Sequence, residues 1–282
     1  MRILIDGPDG AGKTTVLTKL AEHYQKGSTT CLRVNDPNHM LGTRTPDEPT
    51  HQGGIVKRGQ FVSIRDIIMR PANIGFAGAL GEVDDIWPKT IQEGSPLPPE
   101  IARLLILAGE VVTDRQVDAV EQRYVRDDLS TLALFDRWAT STLVYQALTT
   151  TNDEQTRKLR VQAVVDNYLA HCRARFDLTV ILCPIDEAGY QKVFARTRTG
   201  EDEDNVFNPE DETEAWLRFK ARADAFRNVF NCAQEYSDRG TEFVARFGAV
   251  GGIHYVDAAD TIEENVDTII HLIDTVKGGA FA

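Results

Sequence analysis

The sequence predicts an α/β fold of three layers, a five-stranded parallel sheet with helices on both faces. Three observations predict it. Apolar runs of strand length alternate with segments of helical period along the 282 residues, a pattern that calls for right-handed crossovers and parallel strands. The first run leads straight into Gly7-Pro8-Asp9-Gly10-Ala11-Gly12-Lys13-Thr14-Thr15, which fits G-x-x-x-x-G-K-[ST] with a strand before it and a helix after it. The composition, 42% hydrophobic and 26% charged, is that of one globular body, and no apolar stretch approaches the length that crosses a bilayer.

Residues 1–6 (MRILID) form a β-branched run suited to a buried parallel strand. In the loop that follows, Gly7, Gly10 and Gly12 let backbone N–H groups curl around phosphate oxygens, with Pro8, Asp9 and Ala11 completing the cradle. The helix expected over 13–26 carries Val16, Leu17, Leu20 and Tyr24 at helical spacing, and its N-terminus adds partial positive charge. Lys13 is placed to reach the β- and γ-phosphates, and Thr14, followed by Thr15, to offer its hydroxyl to Mg²⁺. The fold expected is therefore that of the P-loop NTPases, with a nucleotide phosphate and Mg²⁺ at this loop.

A second strand, 30–34, stops at Asn35-Asp36-Pro37, because proline holds the residue before it extended. A loop is expected over 42–59 and a short helix over 61–69. Residues 70–99 lose periodicity and gather Pro71, Gly75, Gly78, Gly81, Pro88, Gly94, Pro96, Pro98 and Pro99, which marks an insertion. Helical pattern resumes over 100–127. A strand at 131–135 (TLALF) ends at Asp136-Arg137-Trp138, a helix follows at 153–174, and the strand at 178–183 is stopped by Pro184. Helices at 185–196 and 210–231 flank a polar, acidic segment, so 196–209 is the expected lid. A strand at 253–256 and a helix at 262–276 close a single domain, 1–282. Ligands of such a sheet lie at the carboxyl ends of its strands, where the P-loop, Asp36 and Asp136 all fall. Asp136 supplies a carboxylate for Mg²⁺, and Arg137 a guanidinium able to grip a phosphate in two places.

Lys and Arg total 31 against 43 Asp and Glu, a formal charge of −12. That balance opposes approach to a polyanion, so a small-molecule nucleotide is the expected partner, with neither nucleic acid nor membrane. Four scattered cysteines without a C-x-x-C pair suit reduced thiols in the cytoplasm, and the first strand begins too early for a signal peptide. The six histidines show no metal-ligand spacing, and N-K-x-D is absent.

The ordered set formed by Gly7 to Thr15, Asp36-Pro37, Ile64-Arg65-Asp66-Ile67-Ile68, Asp114-Arg115, Asp136-Arg137-Trp138 through Tyr145-Gln146, and Arg196 to Gly200 resembles the motifs of thymidylate kinases. The resemblance covers most of the chain apart from 70–99. It implies transfer of the ATP γ-phosphate to the 5′-phosphate of a deoxypyrimidine monophosphate, in a homodimer. By the same resemblance Asp9 lies near the sugar and acceptor phosphate, Arg137 and the less regular Arg65 bind that phosphate, and Asp36 lies in the substrate site. Arg115 donates to a base carbonyl, Thr142 meets the base edge, and Tyr145 packs where a ribose 2′-hydroxyl would clash. Gly10 follows the bacterial type of P-loop, so Arg196 and Arg198 of the lid are expected to cover the transferring group.

The chain departs from that family in three places. Glu201, Asp202, Glu203 and Asp204 make the lid acidic. Val111 stands where the family has a phenylalanine that stacks on thymine, and Trp138 replaces a tyrosine. An aromatic platform contributes on the order of 1 kcal/mol, so its loss calls for a substitute such as Phe61, Phe76 or Trp87, or for a different base. A kinase for another or a modified nucleotide, such as a 5-substituted dUMP, dCMP or a deoxynucleoside, is one alternative. A nucleotide-dependent switch with little turnover is another.

Overall fold

The computed structural model describes residues 1–26, 31–34, 99–124, 132–199 and 212–279. The chain divides into two compact units, Met1–Asn35 with Asp114–Ala282, and Asp36–Thr113. The expected helix at 61–69 and all of the 70–99 insertion except its last residue lie outside the described residues.

The first unit carries the sheet. Strand β1 (Arg2–Asp6) runs into the P-loop and helix α1 (Lys13–Gln25), and β2 is Cys31–Val34. Helix α2 (Pro99–Tyr124) begins in the second unit and ends in the first. After β3 (Leu132–Asp136) come α3 (Ala139–Leu143), a π-helical turn (Val144–Leu148) and α4 (Glu154–His171). Then follow β4 (Phe176–Cys183), α5 (Glu187–Thr199), α6 (Glu212–Tyr236), α7 (Gly240–Val244), β5 (Phe247–Asp257) and α8 (Ile262–Gly279).

The five strands lie in the order β2-β3-β1-β4-β5, and every pair is parallel. β1 is thus the point where the strand order turns outward in both directions, the position at which open α/β sheets bind ligands. The registers Ile5↔Asp136 and Asp6↔Ile181 bring the carboxyl ends of β1, β3 and β4 to one edge. Apolar burial covers both faces of the sheet. On one, Ile3, Ile5, Leu134 and Val180 pack with Leu17 and Leu20 of α1 and Ile269 and Ile273 of α8. On the other, Phe135 meets Trp138 and Phe176 edge-on at 5.3 and 5.0 Å. Tyr168 of α4 and Phe243 of α7 extend that ring cluster to Phe247. Trp216 and Phe219 of α6 belong to the first core.

Three features depart from the expected elements, one of them α3 with the π-helical turn, over 139–148, for which no element was expected. β5 begins at Phe247, six residues before the expected 253, because its first half loops out: Phe176 pairs with Phe247 but Leu178 with Gly252. Gly248 and Gly252 have φ of 77 and 80 there, a glycine-rich bulge without strand periodicity. α7 occupies a stretch for which no element was expected. Finally, Arg2 ties the end of α2 to β1, its Nη2 donating to Asp118 at 2.6 Å and its Nη1 lying 3.7 Å from Asp114. No described helix is long and apolar enough to cross a membrane.

Candidate active site

The P-loop is shaped by its glycines. Gly7, Gly10 and Gly12 have φ of 149, 76 and 80, backbone that residues with a Cβ rarely adopt. Gly7 is pressed on the end of β4, where an added Cβ would lie 2.0 Å from the Leu182 carbonyl oxygen, and at Gly10 one would lie 2.4 Å from Thr197 Cγ2 of α5. The loop is thereby wedged between β4 and α5.

Asp6 fastens that loop to the end of β3. Its fully buried carboxylate accepts from Gly7 N at 2.8 Å, Ser141 Oγ at 2.7 Å, Trp138 N at 3.4 Å and the Thr140 hydroxyl. Burial pushes the Asp6 carboxyl up, against the lowering effect of Thr140, Lys13, Arg137 and Ser141. Sequence reasoning treated Asp6 only as the last residue of a strand. A carboxylate at the end of an apolar run, followed by Thr140 and Ser141 just past the Asp136-Arg137 pair, was the available signal.

Lys13 is buried, and its Nζ donates to the Pro8 carbonyl at 2.6 Å. Burial and the neighbouring Arg137 lower its pKa to about 8, although Asp9, Asp6 and Asp136 pull the other way. Thr14 Oγ1 donates to Asp136 Oδ2 at 3.2 Å, while buried Asp136 Oδ1 has no hydrogen-bond partner among the described residues. A hydroxyl and a carboxylate with one vacant oxygen, beside a phosphate cradle, suit Mg²⁺, which takes one or two protein ligands and completes its shell with water and phosphate. No group of three or more His, Cys, Asp or Glu residues able to hold a metal occurs among the described residues.

Arg137 follows Asp136 with φ 61, the one non-glycine residue of positive φ in the backbone described. This turn sends its guanidinium into an ion pair with Asp9 of the P-loop, and its N donates to Ile5 O at 3.2 Å. Tyr145, on the π-helical turn, donates its hydroxyl to Asp9 Oδ2 at 3.1 Å. Burial pushes the Asp9 carboxyl up, but the charges of Arg137 and Lys13 override it and hold the group well below the usual carboxylate range. Burial and the Asp9 charge push the Tyr145 hydroxyl up, which keeps it a neutral donor.

The expected site residues therefore fall into three groups. Asp9, Lys13, Thr14, Asp136, Arg137 and Tyr145 converge at the carboxyl edge of the sheet. Thr142 is buried in α3, the same short helix that carries Thr140 and Ser141. Arg196 on α5 donates to the carbonyls of Ala258 at 2.7 Å and Asp260 at 3.3 Å, so it is tied to the loop after β5. Arg115 is exposed on the part of α2 held by Arg2, and Val111 belongs to the other unit. Asp36, Arg65 and the side chain of Arg198 lie outside the described residues, as do Phe61, Phe76 and Trp87. Trp138 is a core residue, 1% exposed, with Nε1 donating to the Tyr168 hydroxyl at 3.1 Å.

One further cation belongs to the cluster and carried no motif. Arg222 of α6 holds its guanidinium 5.1 Å from the centre of the Tyr145 ring, and Arg137 lies 5.6 Å from the same centre. Phe226, one turn further along α6, meets that ring edge-on at 5.8 Å.

No protein-family model and no curated protein matches the chain. Among solved structures, a thymidylate kinase from Candida albicans is similar at a TM-score of 0.48 and 16% identity, over 98% of this chain and 92% of that chain.

Proposed function

We propose that the protein is an ATP-dependent nucleotide kinase that transfers the γ-phosphoryl group to the 5′-phosphate of dTMP or a closely related deoxypyrimidine monophosphate, releasing ADP and the diphosphate. The observation that carries this reading is Arg137. A nucleotide-dependent switch needs the P-loop, Thr14 and Asp136, whereas Arg137 is an additional cation held in strained backbone and aimed across the P-loop at Asp9. A non-glycine residue keeps such a conformation at a cost of about 1–3 kcal/mol, usually at functional sites. A second phosphate, that of the acceptor, explains the need.

Each neighbour then has a task in positioning and charge stabilisation, which dominate phosphoryl transfer. Lys13 exchanges the Pro8 carbonyl for a phosphate oxygen, and Arg137 exchanges Asp9 for the acceptor phosphate. Thr14 and Asp136 would hold Mg²⁺, which when bound neutralises charge on the nucleotide phosphates. Tyr145, fixed by its bond to Asp9, presents its ring where the family resemblance sets a ribose 2′-hydroxyl, favouring a deoxynucleotide. Arg115, Thr142, Asp36 and Arg65 are assigned to the acceptor, and Arg196 and Arg198 to closure over it.

A second reading keeps the chemistry and changes the base. Trp138 is spent in the core and Val111 offers no aromatic face, so a 5-substituted deoxyuridylate is the alternative acceptor. Both readings are tested by ADP formation from ATP and Mg²⁺ with dTMP, dUMP, dCMP, the ribonucleotide of thymine, thymidine and 5-hydroxymethyl-dUMP offered singly. Turnover of a deoxypyrimidine monophosphate that Arg137→Ala reduces at least a hundredfold supports the proposal, and the best acceptor decides the base. No turnover with any acceptor returns the switch reading.

A further inference from the structure

Resting on that reading, we infer that Arg222 binds the acceptor phosphate together with Arg137, completing from α6 a pair of guanidiniums that no sequence motif announces.

The geometry supplies the argument. Arg222 has no ion pair and no hydrogen bond among the described residues, and its buried Nε has no partner. A guanidinium carries five donors and no acceptor, so one left this way inside a protein has unused capacity for an anion. Its surroundings show which anion. Arg222 lies against the Tyr145 ring, and its charge acts on both Asp9 and Tyr145. Arg222 therefore stands beside the Tyr145 ring, on the side that the kinase reading gives to the acceptor.

In the free protein Asp9 pairs with Arg137 and accepts from Tyr145, while Arg222 lies on the Tyr145 ring. A phosphate dianion, with three terminal oxygens and two charges, can take both guanidiniums. The site is also rigid: Phe219, Ala223 and Phe226 bury α6 on both sides of Arg222, so the guanidinium is carried by a packed helix and not by the lid segment. Its position 13 residues beyond Pro209 explains why the motif reading, which ended at Gly200, missed it.

The test compares Arg222→Met, which keeps the stem and removes the charge, with Arg222→Lys, in full-length protein. Melting temperature, steady-state kinetics with the best acceptor and calorimetric titration with inorganic phosphate, in the presence of saturating ADP and Mg²⁺, are measured together. The expected result for Arg222→Met is a KM for the monophosphate raised at least tenfold with the KM for ATP within twofold. The melting temperature stays within 2 °C, and Arg222→Lys recovers part of the affinity. An unchanged acceptor KM, or a loss matched by a fall in melting temperature and equal for both substrates, overturns the inference and leaves Arg222 as packing for Tyr145. If no monophosphate turns over in the unaltered protein, the kinase reading fails separately. Weaker binding of inorganic phosphate by Arg222→Met, with ADP and Mg²⁺ saturating, would then still uphold Arg222 as a phosphate ligand, and unchanged binding would reject it.

Discussion

Lys13 shows how the site sets the state of a single group. Taking the ammonium out of water lowers its pKa, Arg137 lowers it further, and three carboxylates recover only part, so it loses its proton around pH 8 where an ordinary lysine holds it to 10.5. Two opposite trends follow. On the proposed kinase reading, phosphate binding needs the cation, so ATP affinity should be full below pH 8 and weaken above it, approaching tenfold per pH unit once most molecules are neutral. Stability runs the other way: between pH 8 and 10.5 the unfolded chain binds the extra proton, so this group adds stability as pH rises. Titrating ATP binding from pH 6.5 to 9.5 checks the first trend, and Lys13→Met, weak at every pH, should show no such break. An affinity that stays level to pH 9.5 would mean that Lys13 is an ordinary lysine.

At the scale of elements, the site exists because β1, β3 and α3 are fastened together by Asp6. Its carboxylate answers two backbone N–H groups and two hydroxyls, all donors, in full burial. Asp6→Asn turns one acceptor oxygen into a donor facing donors, and leaving such groups unmatched costs about 3 kcal/mol. We expect urea unfolding to show that loss and ATP affinity to fall with it, whereas a midpoint within 0.2 M of the original would show that the network is dispensable. This element was only half legible in the sequence. The strand, glycine loop and helix announce themselves through local pattern, and Asp136-Arg137 through its place at a strand end. Three of the four partners of Asp6 lie over 130 residues away and become neighbours only through the β1–β3 register. The π-helical turn that aims Tyr145 rests on an i→i+5 bond, Thr149 N to Val144 O at 3.1 Å, for which the run VYQAL has no signature. Arg222 looks in sequence like any arginine on a long amphipathic helix.

For the whole molecule, the net charge of −12 opposes anions, yet the carboxyl edge of the sheet gathers Lys13, Arg137 and Arg222 in a partly dry setting where short-range attraction outweighs a screened surface. A nucleotide seated there bridges β1, β3 and α1, and whatever binds only the folded state stabilises it, by about 2.7 kcal/mol at a concentration a hundred times Kd. The metal's share of that effect separates cleanly. In the unaltered protein, ATP alone should raise the melting temperature and Mg²⁺ should raise it again, beyond what sodium chloride of equal ionic strength does. Asp136→Asn keeps the shape beside Thr14 but removes the charge of the carboxylate whose Oδ1 has no hydrogen-bond partner among the described residues. It should retain the shift with ATP alone, or exceed it because one negative charge has gone, and lose most of the Mg²⁺ increment. A full Mg²⁺ increment in Asp136→Asn would mean that the metal rides on the nucleotide alone. Loss of the ATP shift as well would make Asp136 a support of the P-loop through Thr14. The outcome fixes whether the end of β3 takes part in the proposed phosphoryl transfer or only holds the edge of the sheet.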